Sequence, residues 1–333
     1  MLRHVPVLWA RQSSCLESDT MLEGTQTMGL SGIVAVAISG MLLAYAKREP
    51  KGGRAIMQGA RQRIGHSTNL VGLATDLLGS AAFNDHPLEL HLSGVREMNK
   101  NLFEMLSFSE TLPDAGDAFY KYMMAMFGID PEQLEQERAA AEQRGVKVRR
   151  YRSSFLRLLK GWGYDSNSPE GAVLKGWVES RFGLFPTFHK SKLDRVGGPD
   201  WASYVEEKMS SRFHNNSIYT QLDMLYEFCQ WGLARYAAPG QSHVRLYRGI
   251  NSFDEHQVLE RVDKKTVVMR VNNLASFSSD RSVADCFGDT ILTADVPVVK
   301  IVFFNTLLPI HPLKGEGEYL VVGGDYRVTA SYF

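Results

Sequence analysis

The feature that most constrains this chain is a change of period at Pro239-Gly240. Before it, apolar residues recur at helical spacing; after it, they alternate. HVRLYRG, TVVMRV, TILTADV, VKIVFF, EYLVV and YRVTASY read as short strands separated by turn residues, interrupted by a short helix at DRSVADCF that Ser279 or Asp280 caps. Helices first and strands afterwards predict an α+β fold rather than a doubly wound parallel sheet. No GxGxxG or GxxxxGK[ST] follows a strand, so neither dinucleotide fingerprint nor P-loop is present.

The helical half has its own grain. HLSGVREMNKNLFEML sets Leu92, Val95, Met98, Leu102, Met105 and Leu106 at helix spacing, and DAFYKYMMAMFG continues the habit. PEQLEQERAAAEQRGVKVRR predicts a solvated helix from Asp130-Pro131 to Gly145, marking a seam. LKGW occurs at Leu159–Trp162 and again at Leu174–Trp177; large aromatics beside glycines read as packing devices. VGGPDW, Val196 to Trp201, reads as a loop. IYTQLDMLYEFCQWGLARY predicts an amphipathic helix with Leu222, Leu225, Cys229, Leu233 and Tyr236 on one face.

Charge and cysteine usage narrow the functional classes. Lys plus Arg and Asp plus Glu are 37 each among 333 residues, which argues against a nucleic-acid binder. Cys15, Cys229 and Cys286 are too scattered for a disulfide framework or a metal site, and fit a reducing cytosol. No HExxH is present, and His86 and His91 read as surface or capping residues. MGLSGIVAVAISGMLLAYAKR, Met28 to Arg48, reads in two ways, as a membrane segment over 29–46 or as part of an unstructured extension. Its three glycines and two serines make it weakly apolar and favour the extension, and the basic residues that follow keep the remainder cytoplasmic in either case. The expected organisation is therefore an extension over 1–60, a helical region over 61–195 and a strand-rich region over 196–333, or one composite domain over 61–333.

Three features of the strand-rich region carry chemistry. In HVRLYRG, Val244, Leu246 and Arg248 share a face, so a guanidinium ends an apolar row; an internal salt bridge or a phosphate would satisfy it. In ASFSSD, Ser276 and Ser278 flank Phe277, where serines ahead of a helix are ordinarily caps. In LKGEGEYLVVGGDYRV, Glu316 and Glu318 project the same way and raise each other's cost of ionisation, as on a solvated strand edge or in a site that needs two carboxylates.

Taken in chain order, Arg, Ser-x-Ser and Glu-x-Glu resemble the R-S-E class of ADP-ribosyltransferases. With GHSTNLVG, HLSGVREMNKNLFEML, LRLLKGWGYDSNSPEGAVLKGWVESRFGLFPTFHK, LYRGINSFDEH and NNLASFSSD, the chain from about Ile64 onward resembles the NAD+–dinitrogen-reductase ADP-ribosyltransferases of nitrogen-fixing bacteria. The resemblance implies a split β-sandwich with flanking helices, NAD+ as co-substrate, no metal, and transfer of ADP-ribose to an arginine of the nitrogenase iron protein. It implies that Glu318 grips the ribose, Glu316 deprotonates the acceptor arginine, Arg248 binds a phosphate of NAD+, Gly249 offers its backbone to the nicotinamide amide, and Ser276 supports the ribose and Glu318. Phe277 stands where many relatives have threonine, which leaves Ser278 without an assigned role. The helical region is implied to recognise the iron protein and a PII-type signalling protein. Two other readings share these residues: transfer to another acceptor or to water, and a non-catalytic module that binds or senses NAD.

Overall fold

The computed structural model describes residues 63–129, 143, 153–210, 213, 217–251, 253, 256–310, 312–313 and 317–332. The Met28–Arg48 segment, the 131–150 run apart from residue 143, and Glu316 lie outside them. Ten α-helices are described: α1 (Thr75–Leu78), α2 (Ala81–Asp85), α3 (Val95–Met98), α4 (Lys100–Ser107), α5 (Leu112–Phe127), α6 (Phe155–Tyr164), α7 (Pro169–Phe182), α8 (Pro199–Lys208), α9 (Ile218–Gly232) and α10 (Arg281–Asp285). Their starts are written in the sequence: Thr111, Ser154 and Ser168 accept from backbone N–H groups of the first turns of α5, α6 and α7. Gly128 and Gly183 end α5 and α7 in the left-handed region.

Three helical expectations are corrected. The 91–106 run breaks at Asn99 into α3 and α4; Leu92, Leu102 and Leu106 are buried, but Met98 is 86% exposed. VGGPDW is a loop only as far as Gly198, because Pro199 occupies the first position of α8, where its missing N–H costs nothing. Helix α9 is not one-faced: Asp223, Tyr226, Glu227 and Gln230 are buried along with its leucines. It is a central helix, and its buried polar groups all bind. Gln230 Nε2 donates to the carbonyls of Val298 and Ile301, Tyr226 to that of Val299, and Asp223 receives Trp177 Nε1 and two nitrogens of Arg181. Glu227 accepts from Leu92 N at 2.6 Å and Arg96 Nε at 2.5 Å, and His91 Nδ1 lies 3.3 Å away. His91 is thus tied to a buried carboxylate as well as to exposed Glu89.

The strands are β1 (Phe188–His189) and β2 (Ser191–Lys192), a small antiparallel pair, and β3 (His243–Ile250), β4 (Val258–Arg261), β5 (Thr266–Ser278), β6 (Thr290–Pro297), β7 (Ile301–Phe304) and β8 (Glu318–Tyr332) in one antiparallel sheet. The fold is α+β, as expected. EYLVV and YRVTASY are not separate strands, however; they are the two ends of β8. Likewise TVVMRV runs on through ASFS as β5.

Both long strands change partners midway. Val271 faces Gly324 and Leu274 faces Val322, so Asn272 and Asn273 together oppose the single residue Gly323, a β-bulge. Beyond it, the late half of β8 also pairs with β6 and the early half with β7. The end of β5 meets β3 at Tyr247 and Ser278. A Cβ on Gly323 would stand 1.8 Å from the Asn272 carbonyl oxygen, so glycine is required where the strands cross the bulge.

The bulge also frees the two asparagines for the helical layer. Asn273 Nδ2 donates to the carbonyls of Lys175 and Leu184, while Asn272 receives Thr187 N and donates to the Phe188 carbonyl. Helices α5, α6, α7 and α9 and the sheet bury their apolar faces in one continuous core, in which Phe155, Leu158, Trp177, Phe228, Ile301 and Leu320 are essentially inaccessible. Trp201 and Tyr204 of α8 pack with Ala172 and Leu193 in a smaller second cluster. Among the described residues, no helix is long and apolar enough to cross a membrane.

Candidate active site at the β5–β8 junction

Strand register brings the chemistry together. The pairing of Ser276 with Leu320 and of Ser278 with Glu318 lays the Ser-x-Ser end of β5 along the start of β8. Ser276 Oγ donates to Glu318 Oε1 at 2.8 Å, and Glu318 is half-buried. Gly317, immediately before, has φ +63°, and its carbonyl accepts from Ser279 N at 2.9 Å, which fixes where β8 begins.

On the neighbouring strand β3, Leu246 and Ile250 are buried on the face that Arg248 shares, as alternation requires. Arg248 Nη1 donates to the Ser276 carbonyl at 2.6 Å, and its guanidinium lies 6.0 Å from the centre of the Phe277 ring. Burial pulls its pKa below the ordinary arginine value and Glu318 pushes it back up. Among the described residues Arg248 has no carboxylate within ion-pair distance, unlike Arg270, which grips Asp325 through two nitrogens at 2.7 and 3.0 Å. With five donors and one hydrogen bond to a described residue, Arg248 is chemically suited to an anion.

The serine, glutamate and arginine expected from the sequence therefore meet around Ser276. Gly249 lies in β3 opposite Ile291, and a Cβ there would come within 2.0 Å of the Ala284 carbonyl oxygen. Helix α10 is thus pressed onto the strand where no side chain fits. Ser278 is buried and its Oγ accepts from Asp280 N at 3.0 Å, while Asp280 caps α10 through Ser282 N. Of the two predicted caps for that helix, Asp280 serves. Glu316 lies outside the described residues.

Arg248 and Ser276 line a cleft of about 610 Å³ together with Trp162, Asn167, Thr187 and Arg270. Glu318 is not in that lining and joins it through the Ser276 hydroxyl. The cleft is large enough for an extended ligand of dinucleotide class. Its lining combines Trp162 of α6 and Asn167 of the turn that follows with residues of the sheet, so the helical layer is part of the site. Sequence reasoning missed that contribution. The first LKGW tryptophan, read as a packing device, points its indole N–H at Ser276 Oγ, 2.9 Å away. The second, Trp177, packs as expected. Behind Trp162, Lys175 is buried, and desolvation lowers its pKa to about 7; its Nζ bonds Asn167 Oδ1, the Phe188 carbonyl and His189 Nδ1. Among the described residues, no group of three or more His, Cys, Asp or Glu could hold a metal ion.

Two comparisons with known proteins bear on this site. The family model described as dinitrogenase reductase ADP-ribosyltransferase matches residues 68–330. A curated protein of Rhodospirillum rubrum named NAD(+)–dinitrogen-reductase ADP-D-ribosyltransferase is 67% identical over 272 residues, covering 82% of this chain and 97% of its own length. No solved structure matches.

Proposed function

The chain belongs to the dinitrogenase reductase ADP-ribosyltransferase family, and from that premise we propose that it moves ADP-ribose from NAD+ to an arginine of dinitrogenase reductase, the iron protein of nitrogenase, so switching nitrogen fixation off. The observation that carries this reading at the level of atoms is the Ser276–Glu318 hydrogen bond beside an arginine with no described carboxylate partner. In the reaction, the bond between ribose C1′ and the nicotinamide nitrogen breaks, and nicotinamide leaves with the electron pair. A guanidinium nitrogen of the acceptor then bonds to C1′ and loses a proton.

Each residue has a part that fits this chemistry. Glu318 holds the ribose hydroxyls and stabilises the positive charge that develops on the ring, as carboxylates do in glycoside hydrolysis. Ser276 orients that carboxylate. Arg248 binds the pyrophosphate, and Gly249 supports the nicotinamide amide. Glu316, two residues before Glu318, takes the acceptor's proton; unaided deprotonation of a guanidinium near neutral pH would cost about five pKa units, or ~7 kcal/mol. The switching of partners by β5 and β8 on either side of the bulge supports the split β-sandwich. A cytoplasmic location accords with the free thiols of Cys229 and Cys286. Recognition of the iron protein and of a PII-type signalling protein falls to the helical layer.

The test is Glu318→Gln, which keeps the shape and removes the charge. Transfer of label from NAD+ to purified dinitrogenase reductase should fall by about 10²–10³, the scale of losing one transition-state electrostatic partner. A variant transferring at the parental rate would remove Glu318 from the mechanism. Nicotinamide release by the parent protein separates this enzyme from a module that only binds NAD.

A further inference from the structure

We infer that Trp162 is a positioning residue for the transferase reaction: its indole N–H fixes the Ser276 hydroxyl so that the hydroxyl proton points at Glu318. The inference rests on the catalytic reading of Glu318 given above. Its basis is the donor and acceptor capacity of three groups in a row. An indole N–H can only donate, a hydroxyl has one proton and two lone pairs, and an ionised carboxylate can only accept. Trp162 Nε1 lies 2.9 Å from Ser276 Oγ, which lies 2.8 Å from Glu318 Oε1. With the indole occupying a lone pair, the hydroxyl rotor has one productive setting, with its proton toward the carboxylate. Such chains polarise each bond in the same direction.

The indole is itself held firmly. Trp162 is 4% exposed although it lines the cleft. Its neighbour Gly161 brings α6 so close to α7 that a Cβ there would fall 2.5 Å from Glu170 Cβ. Lys175 Nζ packs against the indole from behind, 5.8 Å from the centre of the Trp162 ring. A tryptophan needed only for packing would require none of this alignment. The helical layer thus reaches the reacting centre through one hydrogen bond, and the strand residues that carry the family motif do not form a complete site without it.

The test is a double-mutant cycle with Trp162→Phe and Ser276→Ala, assayed by label transfer from NAD+ to dinitrogenase reductase. Trp162→Phe keeps an aromatic ring and removes the donor. In the parental background it should lower kcat about 3- to 10-fold, the worth of one neutral hydrogen bond, and leave KM for NAD+ nearly unchanged. In the Ser276→Ala background the same substitution should do nothing, because its route of action is gone. An equal loss in both backgrounds, or no loss in the parental one, overturns the inference. Should the phenylalanine variant not fold, the indole N–H signals in a ¹⁵N spectrum of Ser276→Ala decide instead. One signal should move relative to the parent, and an unchanged set of indole signals overturns the proposal. Glu318→Gln run alongside separates the layers: if it is inactive while Trp162→Phe is neutral in all respects, only the role of Trp162 falls; if it is fully active, the chain of bonds ends on an idle carboxylate and both fall.

Discussion

Arg248 illustrates how far single residues could be read. Strand alternation alone placed a guanidinium at the end of an apolar row, and the cost of burying it demanded an anion, either protein or ligand. The structure gives Arg248 a carbonyl and an aromatic ring but no described carboxylate. Arg248→Ala should therefore raise KM for NAD+ by about tenfold or more, the range for a hydrogen bond to a charged group, with a smaller effect on kcat. Initial rates against NAD+ concentration measure this; an unchanged KM would reduce Arg248 to a prop under Phe277. Ser276 and Glu318 were legible only through their order along the chain, since serine near a helix start is ordinarily a cap; here Asp280 caps the helix and Ser278 accepts from the Asp280 N–H. Trp162 was not legible at all. Spacing shows that an aromatic is buried, but not what its one polar atom touches.

At the scale of elements, the misreadings share a physical cause: local breakers do not reveal whether a neighbouring strand or helix carries the chain through. Gly323-Gly324-Asp325 looks like a turn. With β5 alongside, the glycines let β8 continue past the bulge, and Asp325 is anchored by Arg270 and by donation of its N–H to the Gly79 carbonyl at 2.7 Å. Pro199 looked like part of a loop and instead opens a helix. The periodicity of α9 marked its leucines, yet the partners on its polar side come from residues far away in sequence, such as Leu92 and Val298. Gly323→Ala tests the bulge. The added methyl would meet the backbone carbonyl of Asn272, a residue whose side-chain amide is bonded to Thr187 N and to the Phe188 carbonyl. Overpacking of this kind should cost about 2 kcal/mol or more, read as a lowered midpoint in denaturant with an unchanged slope. A parental midpoint would mean the strands can slide apart at the bulge freely.

At the scale of the molecule, helices and sheet meet across buried lysines, which sequence reading did not anticipate because lysine is almost never fully buried. Lys300 is the sharper case: it is fully buried, donates to the Gly323 carbonyl at 3.1 Å, and lies against the rings of Phe83 and Tyr326 at 5.2 and 5.3 Å. Desolvation lowers its pKa from 10.5 to about 7, with Asp325 opposing the shift. Lys175 is lowered to the same value by the same cause. Between about pH 7 and about 10.5 the unfolded chain therefore holds a proton on each lysine that the folded chain has released. Stability then rises with pH across that window, by at most ~1.4 kcal/mol per pH unit per group, and each lysine's full burden is felt below pH 7. Lys300→Met keeps the length of the side chain and removes the titration. Against the parent it should gain most at pH 7 and least at pH 9 in urea unfolding, so the parent's upward slope with pH is partly flattened. Equal slopes in the two proteins would mean that Lys300 keeps its proton in the folded state, and that the site's supporting layer tolerates a buried charge at the point where Gly323 carries β8 over the bulge.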